Sequence, residues 1–291
     1  MTNSTIIASG PLGRRGLLSS AGVAAIGAWS GALIPARSAA ATAVTDADIL
    51  NFALNLEYLE AEFYLRAATG QGLAPGEIEG QGNLGAVAGG RKVRFKTPAI
   101  RCYAQEIAAD EHAHVKFLRA ALGSVAVARP KINFDHSFNV AARAAGLIGP
   151  GQRFDAFANE TNFLLAAFIF EDVGVTAYKG AAPLIADKAV LEAAAGLLAV
   201  EAYHAGEIRT LLYGRGLFEA VQAVSDARDS LDGPDDKDQG IGDGKGANIV
   251  PTDMNGLAFS CSTSDVLNIV YLGGASSSFG FFPNRLNGLI K

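Results

Sequence analysis

Two Glu-x-x-His motifs are the residues of this sequence best suited to chemistry. One is formed by Glu111 and His114, the other by Glu201 and His204. Residues three apart lie on the same face of a helix, so each motif presents a carboxylate and an imidazole together. Both motifs lie in stretches rich in alanine and leucine, where such a pair facing the core would be costly unless it bound something. The spacing therefore indicates two halves of a metal site.

Two lone glutamates complete a four-part pattern. Glu57 and Glu171 each lie in an apolar stretch, and a tyrosine follows each one seven residues later, Tyr64 and Tyr178. These tyrosines could donate hydrogen bonds to ligands or relay electrons, or they could simply pack in the core. Along the chain, the order is a glutamate, a Glu-x-x-His motif, a second glutamate and a second motif.

The combined donor set favours a pair of transition-metal ions. Four carboxylates carry four negative charges, which two divalent cations neutralise, whereas the acids alone repel one another. Carboxylates together with imidazoles suit iron or manganese and tolerate zinc. The alternative is a bundle in which the same acids and histidines only form salt bridges with one another.

Other acids and histidines near these motifs fit the pattern less well. Glu60 lies one turn after the first lone glutamate and could be an alternative or additional ligand, whereas Glu62 is expected to be solvated. His112 points away from its neighbouring motif, which predicts a supporting or surface role. His136 falls in a crossover segment and has no predicted role. Glu160 shares a helix face with the second lone glutamate but lies about 16 Å away along the axis, too far to be a ligand.

Apolar periodicity predicts four long helices that must position these residues. In chain order they are Asp46–Thr69, ending at Gly70; a helix from Thr97-Pro98 to about Leu122; about Gln152–Lys179; and about Asp187–Tyr213, ending at Gly214. Within the third helix, the stretch Phe163–Phe170 is apolar on every side. This helix is therefore predicted to be buried on most of its surface.

Less regular segments connect and follow these helices. A glycine-rich connection, 70–96, separates the first two helices, and Arg129–Gly151 is predicted to be an irregular crossover. A fifth helix over Leu217–Leu231 precedes the acidic loop 232–244, where a solvated loop is favoured over a calcium site because the EF-hand spacing is absent. Further on, we expect a short helix near Asp265–Tyr271 and an aromatic run that packs on the bundle, Phe279, Phe281 and Phe282.

The segment 1–43 has the pattern of an export signal. Arg14-Arg15 precedes a mildly apolar stretch, and Ala41-Thr42-Ala43 fits a cleavage site. The arginine pair followed by Gly16-Leu17-Leu18 resembles a twin-arginine signal, which implies a bacterial protein exported in folded form to the periplasm or the outer surface. Export with cleavage is favoured over a membrane anchor because glycine, serine and alanine dilute the apolar stretch. No further membrane span is expected.

Composition excludes several classes of protein. With 49% hydrophobic and 18% charged residues, the 291-residue chain can bury a core. Its net charge of −5 lacks the basic excess of a nucleic-acid-binding protein. Its two cysteines are too few for a disulfide-rich scaffold or a site with four thiolates. One disulfide, between Cys102 and Cys261, remains open.

The order of the motifs resembles the ferritin-like di-iron and di-manganese carboxylate bundles. The segments Phe52–Tyr64 and Asp110–Val115, Phe259 and the run Phe281–Asn284 are similar to the exported ferritin-like proteins labelled desiccation-related. The resemblance covers about residues 46–290. It implies an all-α, ferritin-like four-helix bundle over 44–215, with a long crossover. A C-terminal extension over 216–291, with the short fifth helix and otherwise irregular, would pack on it. The metal ligands that it implies, which would also be the catalytic residues, are Glu57, Glu111, His114, Glu171, Glu201 and His204, with Glu111 and Glu201 as bridging carboxylates.

This resemblance implies two iron or manganese ions and a role in handling peroxide or oxygen under stress or desiccation. A catalase-like or peroxidase-like reaction is the first choice. Metal storage is disfavoured, because the glycine-rich insertion and the long extension argue against a closed ferritin-type cage. The alternative is a non-catalytic protective protein of the cell envelope in which the metal holds the bundle together. The expected partner is a small-molecule oxidant, and a homo-oligomer is compatible with the sequence.

Overall fold

Four long helices carry the site, and three of them follow the predicted bounds closely. The computed structural model describes residues 44–273 and 280–291, and the predicted export signal and Phe279 lie outside these residues. The bundle helices are α1 (Asp46–Thr69), α2 (Pro98–Leu122), α4 (Glu160–Ala181) and α5 (Lys188–Gly214). None of the described helices is long and apolar enough to cross a membrane. The expected all-α architecture is confirmed.

The ends of the bundle helices show why these residues form helices. The side chain of Thr45 accepts a hydrogen bond from the backbone N–H of Asp48 and so caps the start of α1. Gly70 ends α1 with a φ of 92°, a left-handed conformation that glycine adopts at little cost. The side chain of Asp187 accepts from two backbone N–H groups and caps α5. These residue types are typical of helix ends.

Helices α1 and α4 form the buried centre of the bundle. Helix α1 packs along α2 and against α4, and α4 packs along α5. Every residue of Phe163–Phe170 is buried, as predicted for an all-round apolar helix. By contrast, α2 and α5 each bury one face. The two lone glutamates thus come from the central helices and the two Glu-x-x-His motifs from the flanking ones.

The crossover between the two helix pairs is more ordered than predicted. An 11-residue helix, α3 (Phe134–Ala144), occupies most of it, so the irregular assignment was wrong there. Its apolar face places Phe138 against Phe63 of α1, with ring centroids 5.7 Å apart. Two short parallel strands, β1 (Val87–Ala88) and β2 (Ile132–Asn133), pair the glycine-rich connection with the crossover. Strand β2 directly precedes α3. Local proline and glycine content concealed this short amphipathic helix.

Helix α4 begins later than predicted. It starts at Glu160 rather than Gln152, because the side chain of Asn159 accepts from the backbone N–H of Asn162 and caps the helix there. Its end is at Ala181, two residues beyond the predicted Lys179. The residues before the cap form turns.

The segment after the bundle packs against it. Helix α6 (Phe218–Asp232) and helix α7 (Thr263–Val270) lie within two residues of their predicted bounds. Phe281 and Phe282 are buried in the core. The acidic loop was predicted to be solvated, but part of it is buried. Asp238 is 3% exposed and pairs with Arg228, with Oδ1 and Nη2 3.2 Å apart.

Buried polar groups hold this segment in place. Arg209 of α5 is fully buried and donates to Oδ2 of Asp172 at 2.6 Å and to the backbone carbonyls of Gly240 and Asn248. Asn287 donates its backbone N–H to Oδ1 of Asn55 on α1, and the side chain of Asn55 donates back to the carbonyl of Asn287. Because these partners are buried, removing one would leave the others without hydrogen bonds.

Candidate metal centre

The six predicted ligands converge in the middle of the four bundle helices. One turn of each helix faces this point, so α1, α2, α4 and α5 all contribute. The side chains of the four glutamates are fully enclosed, whereas the two histidines keep a few per cent of their surface. The residues are Glu57, Glu111, His114, Glu171, Glu201 and His204.

Four of these residues form one cluster of potential ligand atoms. Glu57, Glu111, His114 and Glu201 each offer one atom, and these atoms all lie within 4.8 Å of one another. His114 Nδ1 lies 3.2 Å from Oε2 of Glu57. The same nitrogen is 3.5 Å from Oε2 of Glu111 and 3.5 Å from Oε1 of Glu201. A cation placed among these atoms would have three carboxylates and one imidazole within reach.

A second cluster shares one residue with the first. Glu111, Glu171 and His204 offer atoms that also lie within 4.8 Å of one another. His204 Nδ1 is 3.0 Å from Oε1 of Glu111 and 3.5 Å from Oε2 of Glu171. Glu111 thus directs one oxygen to each histidine, the arrangement expected of a bridging carboxylate. Glu201 belongs only to the first cluster, so its bridging role stays a prediction.

Several buried atoms that could bind a metal have no hydrogen-bond partner, which indicates that these clusters are suited to bind a cation. Both carboxylate oxygens of Glu111, Glu171 and Glu201 lack a hydrogen bond, as does Nδ1 of His204. Buried polar atoms are normally hydrogen-bonded, because leaving them unpaired costs free energy. Oxygen and imidazole nitrogen are suitable donors for iron or manganese. The residues present therefore fit a pair of metal ions.

Burial and mutual repulsion spread the pKa values of the acids. Burial and the charge of Glu111 raise the pKa of Glu57 to about 7, against the effect of His114. Burial acts the same way on Glu111, but the close imidazoles of His114 and His204 outweigh it and lower its pKa to about 2. Burial and neighbouring carboxylates, Glu111 first, raise the pKa of Glu201 well above its ordinary value.

Comparison with known protein families agrees with this geometry. A family model described as a ferritin-like domain matches residues 45–214, which include all four bundle helices. The chain belongs to this ferritin-like family.

Two relatives extend the similarity of this ferritin-like chain beyond the bundle. It is 32% identical over 234 residues to the desiccation-related protein PCC13-62 of Craterostigma plantagineum, covering 74% of each chain. It is 28% identical over 271 residues to the ferritin-like catalase Nec2 of Nesocodon mauritianus, covering 84% of each chain. No solved structure matches the chain. Both relatives come from plants, whereas the twin-arginine pattern implies a bacterial protein.

Three side chains support the ligands of the ferritin-like bundle. The hydroxyl of Tyr178 donates a hydrogen bond to Oε1 of Glu57, and Tyr64 lies beside Glu171. Nε2 of His204 is 3.1 Å from Oδ2 of Asp110, a residue of α2 at the edge of the site. The sequence interpretation assigned no role to Asp110. Its position just before a motif glutamate was the available clue, but its partner lies on another helix.

A fifth carboxylate, Glu60, faces the ferritin-like centre without belonging to either cluster. It is 4% exposed, and burial followed by the charges of Glu201 and Glu111 raises its pKa well above the ordinary value. Gly174 of α4 allows this crowding, because a Cβ there would lie 2.3 Å from Oε2 of Glu201 and 3.3 Å from Oε1 of Glu60. The role of Glu60 as an additional ligand stays a prediction.

The remaining acids and histidines of the sequence pattern lie outside the clusters. Glu62 was predicted to be solvated but is fully buried, because Arg66 and Arg129 pair with its two oxygens. His112 contacts Glu77 at 2.7 Å, at the surface of the ferritin-like bundle. His136 is exposed on α3 rather than in a loop.

Glu160 and the two cysteines also lie outside the clusters. The carboxylate of Glu160 accepts from the backbone N–H groups of Lys96 and Thr97 at the start of α2. Cys102 is exposed and Cys261 is buried, and both are free thiols, so the disulfide that the sequence allowed is not formed.

Proposed function

We propose that this chain is an exported ferritin-like protein that binds two iron or manganese ions and decomposes hydrogen peroxide. The observation that carries the proposal is the pair of donor clusters that share Glu111, with seven buried donor atoms left without hydrogen bonds. The similarity to a ferritin-like catalase supports the reaction. The likeness of 1–43 to a twin-arginine signal supports export.

The six clustered side chains would hold the metal ions, and the chemistry of the donors limits which ions. Their carboxylates and imidazoles favour iron or manganese, and four carboxylates balance two divalent charges. Bound there, the ions would supply the electrons that cleave the O–O bond of peroxide. In a catalase-like cycle, one hydrogen peroxide is reduced to two waters and a second is oxidised to O2. Such a cycle needs no external reductant.

The chain itself positions the donors and excludes water. Tyr178 and Asp110 restrict the orientation of Glu57 and His204 through hydrogen bonds, an arrangement that typically strengthens metal binding. Full burial of the glutamates keeps bulk water from competing for the site.

Elemental analysis combined with a turnover assay tests the proposal. We expect mature protein purified from its own host without added metal to contain about two equivalents of iron or manganese per chain. It should release O2 from hydrogen peroxide. A Glu111→Ala, His204→Ala variant should lose both the metal and the turnover while keeping its helicity by circular dichroism. Metal-replete protein without peroxide turnover would contradict the enzymatic role.

A structural role for the metal is the second candidate. The clusters join all four bundle helices, so bound metal would cross-link the fold, and one relative is named for desiccation. This candidate is favoured if the metal-replete protein turns over neither peroxide, O2 nor ferrous iron. Chelation would then lower the melting temperature without any loss of activity.

A further inference from the structure

Two apolar cavities lie one behind the other on the α7 side of the bundle. The inner cavity, of about 20 Å³, lies between α1, α4 and α7 and is lined by Glu60 and Gly174 where it faces the metal centre. The outer cavity, of about 90 Å³, lies between α3, α6 and α7, and its otherwise apolar lining includes Arg228 and Ser230. We call them the inner and outer chambers.

Two isoleucines separate the chambers. Ile169 of α4 and Ile269 of α7 line both of them, so their side chains form the partition. Ile169 is 8% exposed and Ile269 only 2% exposed. Movement of one of these side chains, without any separation of the helices, would join the two spaces.

Glu60 connects the inner chamber to the metal centre. The four clustered glutamates are fully enclosed, whereas Glu60 lines the inner chamber and lies close enough to Glu201 and Glu111 to feel their charges. Every other side chain that lines this chamber is apolar. An ion would lose its hydration there without compensation, whereas a small neutral molecule would not.

We propose that the two chambers form the access path for a small uncharged oxidant, with Ile169 and Ile269 as its gate. The inner chamber has room for about one water-sized molecule. The path therefore admits O2 or hydrogen peroxide and rejects organic hydroperoxides. For hydrogen peroxide, the carboxylate of Glu60 is the one polar side chain along the inner chamber with which to hydrogen-bond. The identity of the oxidant rests on the proposed function, but the path itself does not.

Selectivity between two peroxides tests the gate. We expect metal-loaded wild-type protein to have a kcat/KM for hydrogen peroxide at least about 100-fold above that for tert-butyl hydroperoxide, because the larger molecule does not fit the inner chamber. Ile269→Ala should reduce this ratio about tenfold by removing part of the partition. Ile269→Val is the milder variant if the first one unfolds. Ile100→Ala, a buried change in the first turn of α2, is the matched control and should leave the ratio unchanged.

Xenon binding tests the path without any turnover. In crystals of the metal-free protein under xenon pressure, we expect xenon in the outer chamber of the wild type, and xenon density that extends into the inner chamber in Ile269→Ala. An outer chamber without xenon would overturn the proposal, as would equal selectivity in the Ile269→Ala and Ile100→Ala proteins. This xenon pattern in a protein that decomposes no peroxide would contradict the proposed function and leave the path standing.

Discussion

The hydroxyl of Tyr178 on α4 donates a hydrogen bond to Oε1 of Glu57 on α1. The converse pair also crosses the bundle, because Tyr64 of α1 lies beside Glu171 of α4 and acts to lower its pKa. Each central helix therefore supports the glutamate of the other. The two halves of the sequence pattern are thus interlocked rather than independent.

Tyr178→Phe should weaken metal binding. Loss of the hydroxyl leaves Glu57 without its partner on α4, and loss of such a support typically costs about 10–100-fold in affinity. Competition with a chromophoric chelator would measure the change. Tyr64→Phe is the matched control, and we expect a smaller effect because its hydroxyl lacks a hydrogen bond of good geometry among the described residues. Equal losses in the two variants would contradict this account.

Two glutamine substitutions, at Glu171 and at Glu111, should differ in how many metal ions the protein loses. Glu171 belongs only to the second cluster, so Glu171→Gln should leave about one ion per chain, whereas Glu111→Gln should remove both because Glu111 belongs to both clusters. Mass spectrometry of the native protein would count the ions. Full occupancy in Glu111→Gln would show that the shared carboxylate is not required.

Gly174→Ala should disturb the centre although it adds only a methyl group. The new Cβ would lie 2.3 Å from Oε2 of Glu201, and overpacking of this kind costs about 1–3 kcal/mol. Gly196→Ala on α5 is the control: no atom lies within 4 Å of its added Cβ, so the change should stabilise the helix by about 0.5–1 kcal/mol. Urea unfolding would measure both variants, and stabilisation by Gly174→Ala would be the contrary result.

Glu160 should stabilise the fold in a pH-dependent manner. Burial alone would raise its pKa, but hydrogen bonds from Thr97, Arg215 and Lys96 lower it from 4.5 to about 2. A lowered pKa in the folded state means that the stabilisation is complete above pH 4.5 and is lost as the pH falls towards 2.

We expect Glu160→Gln to reduce the free energy of unfolding by about 1–3 kcal/mol at pH 7. The difference from wild type should shrink on acidification through this window. Chemical unfolding at several pH values would measure it, with the exposed Glu192→Gln as control. A difference that stayed constant down to pH 2 would show that the carboxylate charge is not involved.

The two thiols should differ in reactivity. Cys102 is exposed, whereas burial, together with Asp238 and Asp232, raises the pKa of Cys261 to about 12. A colorimetric thiol reagent should therefore label one cysteine in the native protein and both in denaturant. No labelling before reduction would instead indicate a disulfide.

The periodicity of the sequence was sufficient to predict the bundle helices but not the elements around them. Long apolar patterns with clear stops, such as Gly70 and Gly214, predict helices because local residues determine them. Helix α3 was missed because it is short and lies between Pro130 and Pro150, residues typical of irregular segments. The start of α4 was misplaced because several residues before Asn159 are compatible with a helix and the cap alone decides.

The candidate ligands were predictable because their spacing repeats, whereas their neighbours were not. Glu62 was expected in solvent, since the sequence does not show that Arg129 returns to pair with it. Asp110 acts through a side chain on another helix, so spacing along one helix cannot reveal its role. Tertiary contacts, rather than local propensity, decide the environment of each of these acids.

The hydrogen bonds between Asn55 and Asn287 have a consequence for how the chain reaches its native state. These partners are separated by 232 residues, so closing that contact requires a large loss of chain entropy. The local α1 and α2 pairing can form early, but the surface of α1 around Asn55 stays uncovered until residue 287 has been synthesised. During synthesis, the nascent protein therefore exposes a polar and apolar strip of α1 that a chaperone could bind.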